Sequence, residues 1–133
     1  MSRATPFLMF QGNAQAALDL YFATFPDSRF MSVERYAKGG PGPEGTIKMA
    51  RFALCGSEFM CSDSPIKHGF SFTPASSILV EFDTVEALDR AFAALADGGQ
   101  VLMALDDYGF SSRFGWLDDR FGVSWQLSLP LAS

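Results

Sequence analysis

Three features of the chain predict an α+β fold made of two βαβββ modules. The segment Ala17-Leu18-Asp19-Leu20-Tyr21-Phe22-Ala23 returns 70 residues later as Ala87-Leu88-Asp89-Arg90-Ala91-Phe92-Ala93. An apolar run precedes each copy, Phe7-Leu8-Met9-Phe10 and Ile78-Leu79-Val80, and a helix-capping residue type stands between run and copy, Asn13 or Asp83. Three matches in one order mark an internal repeat. After each helical stretch come three strand-like stretches joined by short turns, so the class is α+β with hairpins rather than a parallel α/β sheet.

The elements follow in order. Phe7–Phe10 opens module one as a strand. Asn13 is the expected N-cap of the first helix, its side-chain oxygen taking a free backbone N–H of the first turn. Ala14, Ala17, Leu18, Tyr21 and Phe25 then form one apolar stripe at helical spacing, and Pro26 stops the helix. Strands are expected over Arg29–Tyr36, Thr46–Leu54 and Glu58–Ser62, with Lys38–Gly45 as a hairpin tip and Cys55-Gly56-Ser57 as a tight turn. Module two repeats the plan. Asp83 is the expected N-cap, with Glu86 three residues on in a capping-box-like pattern. Val85, Leu88, Phe92 and Leu95 make the stripe, and Gly98-Gly99 ends the helix. Strands over Val101–Leu105, Ser112–Asp118 and Val123–Leu129 complete it. The modules span about 4–64 and 75–131 of a single domain over 1–133, with residues 65–74 as a linker that carries Phe70 and Phe72.

Composition narrows the function. With 133 residues, 48% hydrophobic and 19% charged, the chain can build a core without staples. Its net charge of −5 argues against tracking nucleic-acid phosphates, which needs a basic face. No run of 18 apolar residues is present, so no membrane span is expected. The first apolar run has four residues, too short for a secretory signal, and Cys55 and Cys61 read as reduced thiols. The expected compartment is the cytoplasm.

The local strings are more specific. Pro6-Phe7-Leu8-Met9-Phe10-Gln11-Gly12-Asn13-Ala14, Tyr21-Phe22, Phe25-Pro26-Asp27-Ser28, Gly42-Pro43-Glu44-Gly45, Ser77, and Gly115-Trp116-Leu117-Asp118-Asp119-Arg120-Phe121-Gly122-Val123-Ser124-Trp125-Gln126 resemble the PhnB-like branch of the vicinal oxygen chelate superfamily. This is the glyoxalase, bleomycin-resistance and dioxygenase fold, and the branch is often labelled demethylubiquinone methyltransferase-like. The resemblance implies that the paired modules curl into a half-open, curved mixed sheet with ligands on the concave face. It also implies a homodimer, as in the metal-free bleomycin-resistance type.

Metal-dependent members place a ligand on the first and last strand of each module. Carried onto this chain, those positions fall at Pro6, Cys61 (within a residue or so), Ser77 and Gln126. Proline offers no side-chain donor, and a hydroxyl and an amide are weak ones. Only a Cys61 thiolate is competent, and His68 in the linker is the single histidine. A catalytic zinc site commonly takes three protein ligands. No metal and no other cofactor is therefore expected. Methyl transfer from S-adenosylmethionine would call for a Gly-rich strand-to-helix loop, and no G-x-G-x-x-G occurs.

If the implied positions face a cleft, strand alternation adds Leu8 and Phe10 beside Pro6, Leu79 and Glu81 beside Ser77, and Ser124 beside Gln126. Trp116 joins them, because Gly115 leaves room next to it. The expected ligand is a small, largely apolar organic molecule. Each residue has a plainer alternative. Gln126 either contacts a ligand or satisfies a buried neighbour, and Ser77 and Ser124 either line the cleft or bond the backbone. Cys61 is a nucleophile only with a base or cation nearby, and otherwise an inert buried thiol. Asp118-Asp119 with Arg120 reads as a solvated turn, and His68 as exposed. Three function classes stand: a binding protein; an enzyme of the same fold with lyase, isomerase or ring-modifying activity, using a divergent metal site with Cys61 or the polar groups Gln126, Ser77 and Glu81; or a structural partner in a larger complex.

Overall fold

The computed structural model describes residues 1–131. They form two compact units, one over Met1–Gly69 and the other from Phe70 onward. In the first, β1 (Phe7–Phe10), α1 (Ala14–Thr24), β2 (Arg29–Arg35), β3 (Ile47–Leu54) and β4 (Ser57–Asp63) give a four-stranded sheet in the order β1-β4-β3-β2. β1 runs parallel to β4 and the other pairs are antiparallel. In the second, β5 (Ile78–Glu81), α2 (Val85–Ala96), β6 (Gln100–Asp106), β7 (Arg113–Asp118) and β8 (Ser124–Leu129) repeat the plan in the order β5-β8-β7-β6. The predicted βαβββ order holds in both.

Each helix covers one face of its own sheet. In the first unit Ala14, Ala17, Leu18, Tyr21 and Phe25 are buried along α1. Phe22 meets Phe30 and Phe52 edge-on, at 5.1 and 6.3 Å between ring centroids. Phe52 stacks on Phe59 across the β3–β4 pair. Alternation from Phe59 and Phe52 then puts Ala50, Cys61 and Asp63 on the α1 side and Arg51, Met60 and Ser62 on the other. In the second unit Leu88, Ala91, Phe92 and Leu95 are the buried stripe of α2, packed over Leu117, Trp125 and Leu127. Each of the four fully buried leucines in this layer stabilises by roughly 1.5–3 kcal/mol. Gly115 is buried beneath Phe92, and a Cβ there would stand 2.5 Å from the Phe92 ring. The room that Gly115 leaves is thus filled by α2, not offered beside Trp116.

Both expected N-caps differ from the structure. Asn13 makes no side-chain cap bond. Asp63, at the end of β4, takes its place: Oδ1 accepts from the N–H of Gly12 at 2.8 Å and of Ala14 at 3.0 Å. Its other oxygen accepts from the Ile47 N–H at 2.9 Å. A full carboxylate charge at the helix N-terminus is a stronger acceptor than a neutral amide, and Gly12 (φ +106°) lets the chain turn so that its N–H reaches it. At α2 the cap is Thr84 rather than Asp83, its hydroxyl oxygen accepting from the Ala87 N–H at 3.1 Å.

Asp119 is a second correction. It is only 3% exposed, not part of a solvated turn. Its Oδ1 accepts from the N–H groups of Phe121 and Val123, and its Oδ2 from Trp125 Nε1 at 2.9 Å. One buried carboxylate therefore shapes the β7–β8 turn and anchors the central tryptophan.

Candidate functional site

Six of the nine candidate residues lie together on one surface, the face of the second sheet turned away from α2. Gly115, Leu117, Trp125 and Leu127 point toward α2, so their neighbours Trp116, Ser124 and Gln126 point the other way. The parallel register Leu79↔Gln126 and Glu81↔Ser128 adds Leu79 and Glu81 to that side. Ser77, just before β5, joins them through a 2.8 Å bond from Gln126 Nε2 to its hydroxyl. Trp116 is half-buried, and its Nε1 donates to Ser124 Oγ at 2.8 Å. Ser124 is 1% exposed and also lies 3.4 Å from the Leu117 carbonyl as donor. Leu79 stands 56% exposed. The result is an indole and an aliphatic side chain held beside a fixed amide–hydroxyl pair. A carboxylate completes it: Asp118 sits opposite Ser124, and its Oδ1 is buried with no hydrogen-bond partner among the described residues.

The other three candidates are placed differently. Leu8 pairs with Cys61 and Phe10 with Asp63 in the parallel register, which puts all three candidates on the α1 side. Phe10 is 2% exposed and Cys61 fully buried, so both belong to the first unit's core rather than to an open face. Burial, reinforced by the nearby Asp63 charge, pushes the Cys61 thiol up to about 12 from 9.0. A thiol held protonated is a poor nucleophile at neutral pH. The open face of this sheet instead presents Phe7, Met9, Arg51 and Met60, with Arg51 hydrogen-bonded to Glu58.

The linker holds a pair that spacing alone did not reveal. His68 is half-buried rather than exposed, with Nε2 2.8 Å from Ser64 Oγ. Pro65 between them bends the chain so that residues four apart meet outside any helix. Phe70 is 64% exposed, while Phe72 packs near the β7–β8 turn at Gly122.

A pair of βαβββ units, each a mixed four-stranded sheet with one helix, places the chain in the vicinal oxygen chelate superfamily. The fosfomycin resistance protein FosX from Listeria monocytogenes has the same fold, with a TM-score of 0.63 at 11% identity over 97% of this chain and 93% of FosX. More narrowly, the chain belongs to the family described as 3-demethylubiquinone-9 3-methyltransferase, which matches residues 2–128. The PhnB protein from Bacillus cereus is 49% identical, with a TM-score of 0.92 over 96% of this chain and 99% of that one. Protein YjdN of Escherichia coli K12 is 28% identical over 94% of this chain and 93% of its own length.

Neither group implied by these kinships fits the residues present. S-adenosylmethionine would need an open strand-to-helix turn with free N–H groups. Here the β1–α1 turn is filled by the Asp63 carboxylate and the α2 start is closed by Thr84. For a metal, the four superfamily positions offer a proline, a thiol fully buried in the first unit's core, and a hydroxyl and amide already bonded to each other. Among the described residues no three His, Cys, Asp or Glu side chains come together as a ligand set. No helix is long and apolar enough to cross a membrane.

Proposed function

We propose that this chain is a metal-independent binding protein for a small, largely apolar organic molecule, taken up on the face of the second unit turned away from α2. The observation that carries the reading is the Trp116 indole, pinned by Ser124 on a face that also exposes Leu79. Buried tryptophans commonly fill a core, as Trp125 does; one tethered on the face turned away from α2 and only half-buried offers a flat apolar platform. The Gln126–Ser77 pair beside it would fix orientation, the usual division of labour in a ligand site. The resemblance to metal-free superfamily members supports a cytoplasmic homodimer as the working form.

A thermal-shift screen of aromatic and apolar compounds, read with tryptophan fluorescence, tests this. Hits should quench Trp116 and disappear in Trp116→Ala and Gln126→Ala. A screen without hits, or hits indifferent to both substitutions, would sink the reading. A second reading, an enzyme of the same fold, is favoured by one observation: the unpartnered Asp118 oxygen on that face. Buried polar atoms without partners are uncommon and cluster at sites that act on a ligand. Turnover of a screened ligand that Asp118→Asn abolishes, with binding retained, would favour the enzyme. Plasma mass spectrometry on protein purified without chelator decides the metal question. Near-stoichiometric metal would refute metal independence.

A further inference from the structure

We propose that Ser64 and His68, in the first unit, form an acyl-accepting dyad that attacks small activated carboxylic esters. Ser64 follows directly on β4 and is held rigidly: its N–H donates to the Phe10 carbonyl at 2.7 Å. The preceding carbonyl, of Asp63, accepts from the Tyr36 hydroxyl at 3.0 Å. The Ile66 N–H donates to Ser64 Oγ at 3.3 Å, which leaves the hydroxyl proton a choice of acceptor. The Ile66 carbonyl lies 3.3 Å away and His68 Nε2 only 2.8 Å, so with the imidazole proton on Nδ1 the ring is the closer acceptor. That is the nucleophile–base geometry an activated serine needs.

Ser64 also lines a cavity of about 300 Å³, with Gln11, Gly12, Asp63 and Lys67 among its walls. This volume is at the lower end of small-molecule sites, which selects a short acyl group. Asp63 is saturated by its backbone donors, so its charge is already compensated. Lys67 is the cationic residue among those lining the cavity and is assigned to stabilise the oxyanion.

The chemistry balances with water as the one further reactant. Ser64 Oγ bonds the ester carbonyl carbon as its proton passes to His68 Nε2. The C–O bond to the leaving alcohol breaks, and the imidazolium returns that proton to the alkoxide. Water then attacks the acyl-serine, gives its proton to His68, and releases the carboxylic acid while Ser64 regains its hydrogen.

The test uses the full chain with p-nitrophenyl acetate. Expected is a burst of p-nitrophenolate with one acetyl group mapped to Ser64 by peptide mass spectrometry. The burst should vanish in Ser64→Ala and slow by at least about 100-fold in His68→Gln, the range a general base supplies. His68→Gln keeps a hydrogen-bonding partner for Ser64, so the loop geometry survives while the base does not. Acetylation confined to lysines or the N-terminus overturns the proposal. So does acylation of Ser64 at an unchanged rate in His68→Gln.

Discussion

Replacing Asp63 by alanine should be among the most damaging single changes in the first unit. The side chain is 2% exposed and accepts three backbone N–H bonds, from Gly12, Ala14 and Ile47. Each buried donor left without an acceptor costs about 1–3 kcal/mol. The Gly12 donor is only partly buried and regains some solvation, so the sum is on the order of 3–6 kcal/mol. Against a total stability of roughly 5–15 kcal/mol, that is close to unfolding. Asp63→Asn keeps one acceptor oxygen and turns an NH2 toward a donor, so about half the loss is expected. The companion variant is Asn13→Ala. A conventional cap would lose about 1 kcal/mol there, whereas Asn13 makes no cap bond and should stay within about 0.5 kcal/mol. Urea unfolding followed by far-ultraviolet circular dichroism gives all three values. An Asp63→Ala loss below about 1 kcal/mol, or an Asn13→Ala loss matching that of Asp63→Asn, would refute the assignment of the cap.

Gly115→Ala should destabilise by about 1–3 kcal/mol in the same assay, because the new methyl meets the Phe92 ring and Leu105 at 2.5 and 2.9 Å. Trp116→Phe removes the donor to a serine that is 1% exposed, and should cost about 1 kcal/mol while weakening any ligand found in the screen. Cys61 has a raised folded-state pKa, so the unfolded chain loses its proton first as pH climbs past about 9. Stability should therefore fall between pH 9 and 12, by at most about 1.4 kcal/mol per pH unit from this group, and Cys61→Ala should remove that share of the slope. The same burial should keep Cys61 unalkylated by iodoacetamide at pH 8 in the folded chain, with modification appearing only in denaturant.

Element order and both helical stripes were legible because hydrophobic periodicity survives in each copy of the repeat. Which strand face each helix covers was only half legible. Residues of the first strand were aligned with the second by pairing Pro6 with Ser77, 71 positions apart, whereas the helices repeat at 70. Side chains alternate with period two, so that one-residue slip turns a strand over. Hence Leu8 and Phe10 match Ile78 and Val80, which face α2, and not Leu79 and Glu81, which face away. The second module had no such slip between Ser77 and Gln126, and its six candidates share a face. Asp63 and Asp119 were missed for another reason. The donors to Asp63 lie 16, 49 and 51 residues away; those to Asp119 lie only 2, 4 and 6 residues on, but an aspartate near a strand end looks the same in sequence whether it is solvated or buried.

The contrast between the two caps bears on the order in which the units assemble. Thr84 meets its donor three residues along the chain, so α2 can be capped as soon as its first turn forms. Asp63 lies 49 residues beyond Ala14, and α1 stays uncapped until β4 has docked and closed that loop. A helix of 11 residues is marginal without help, so α1 should consolidate late, on a sheet already paired. Stopped-flow kinetics would show this as a split. Thr84→Ala would slow refolding, whereas Asp63→Asn would mainly hasten unfolding. Two copies of one architecture would then reach it by opposite routes, helix first in one and sheet first in the other.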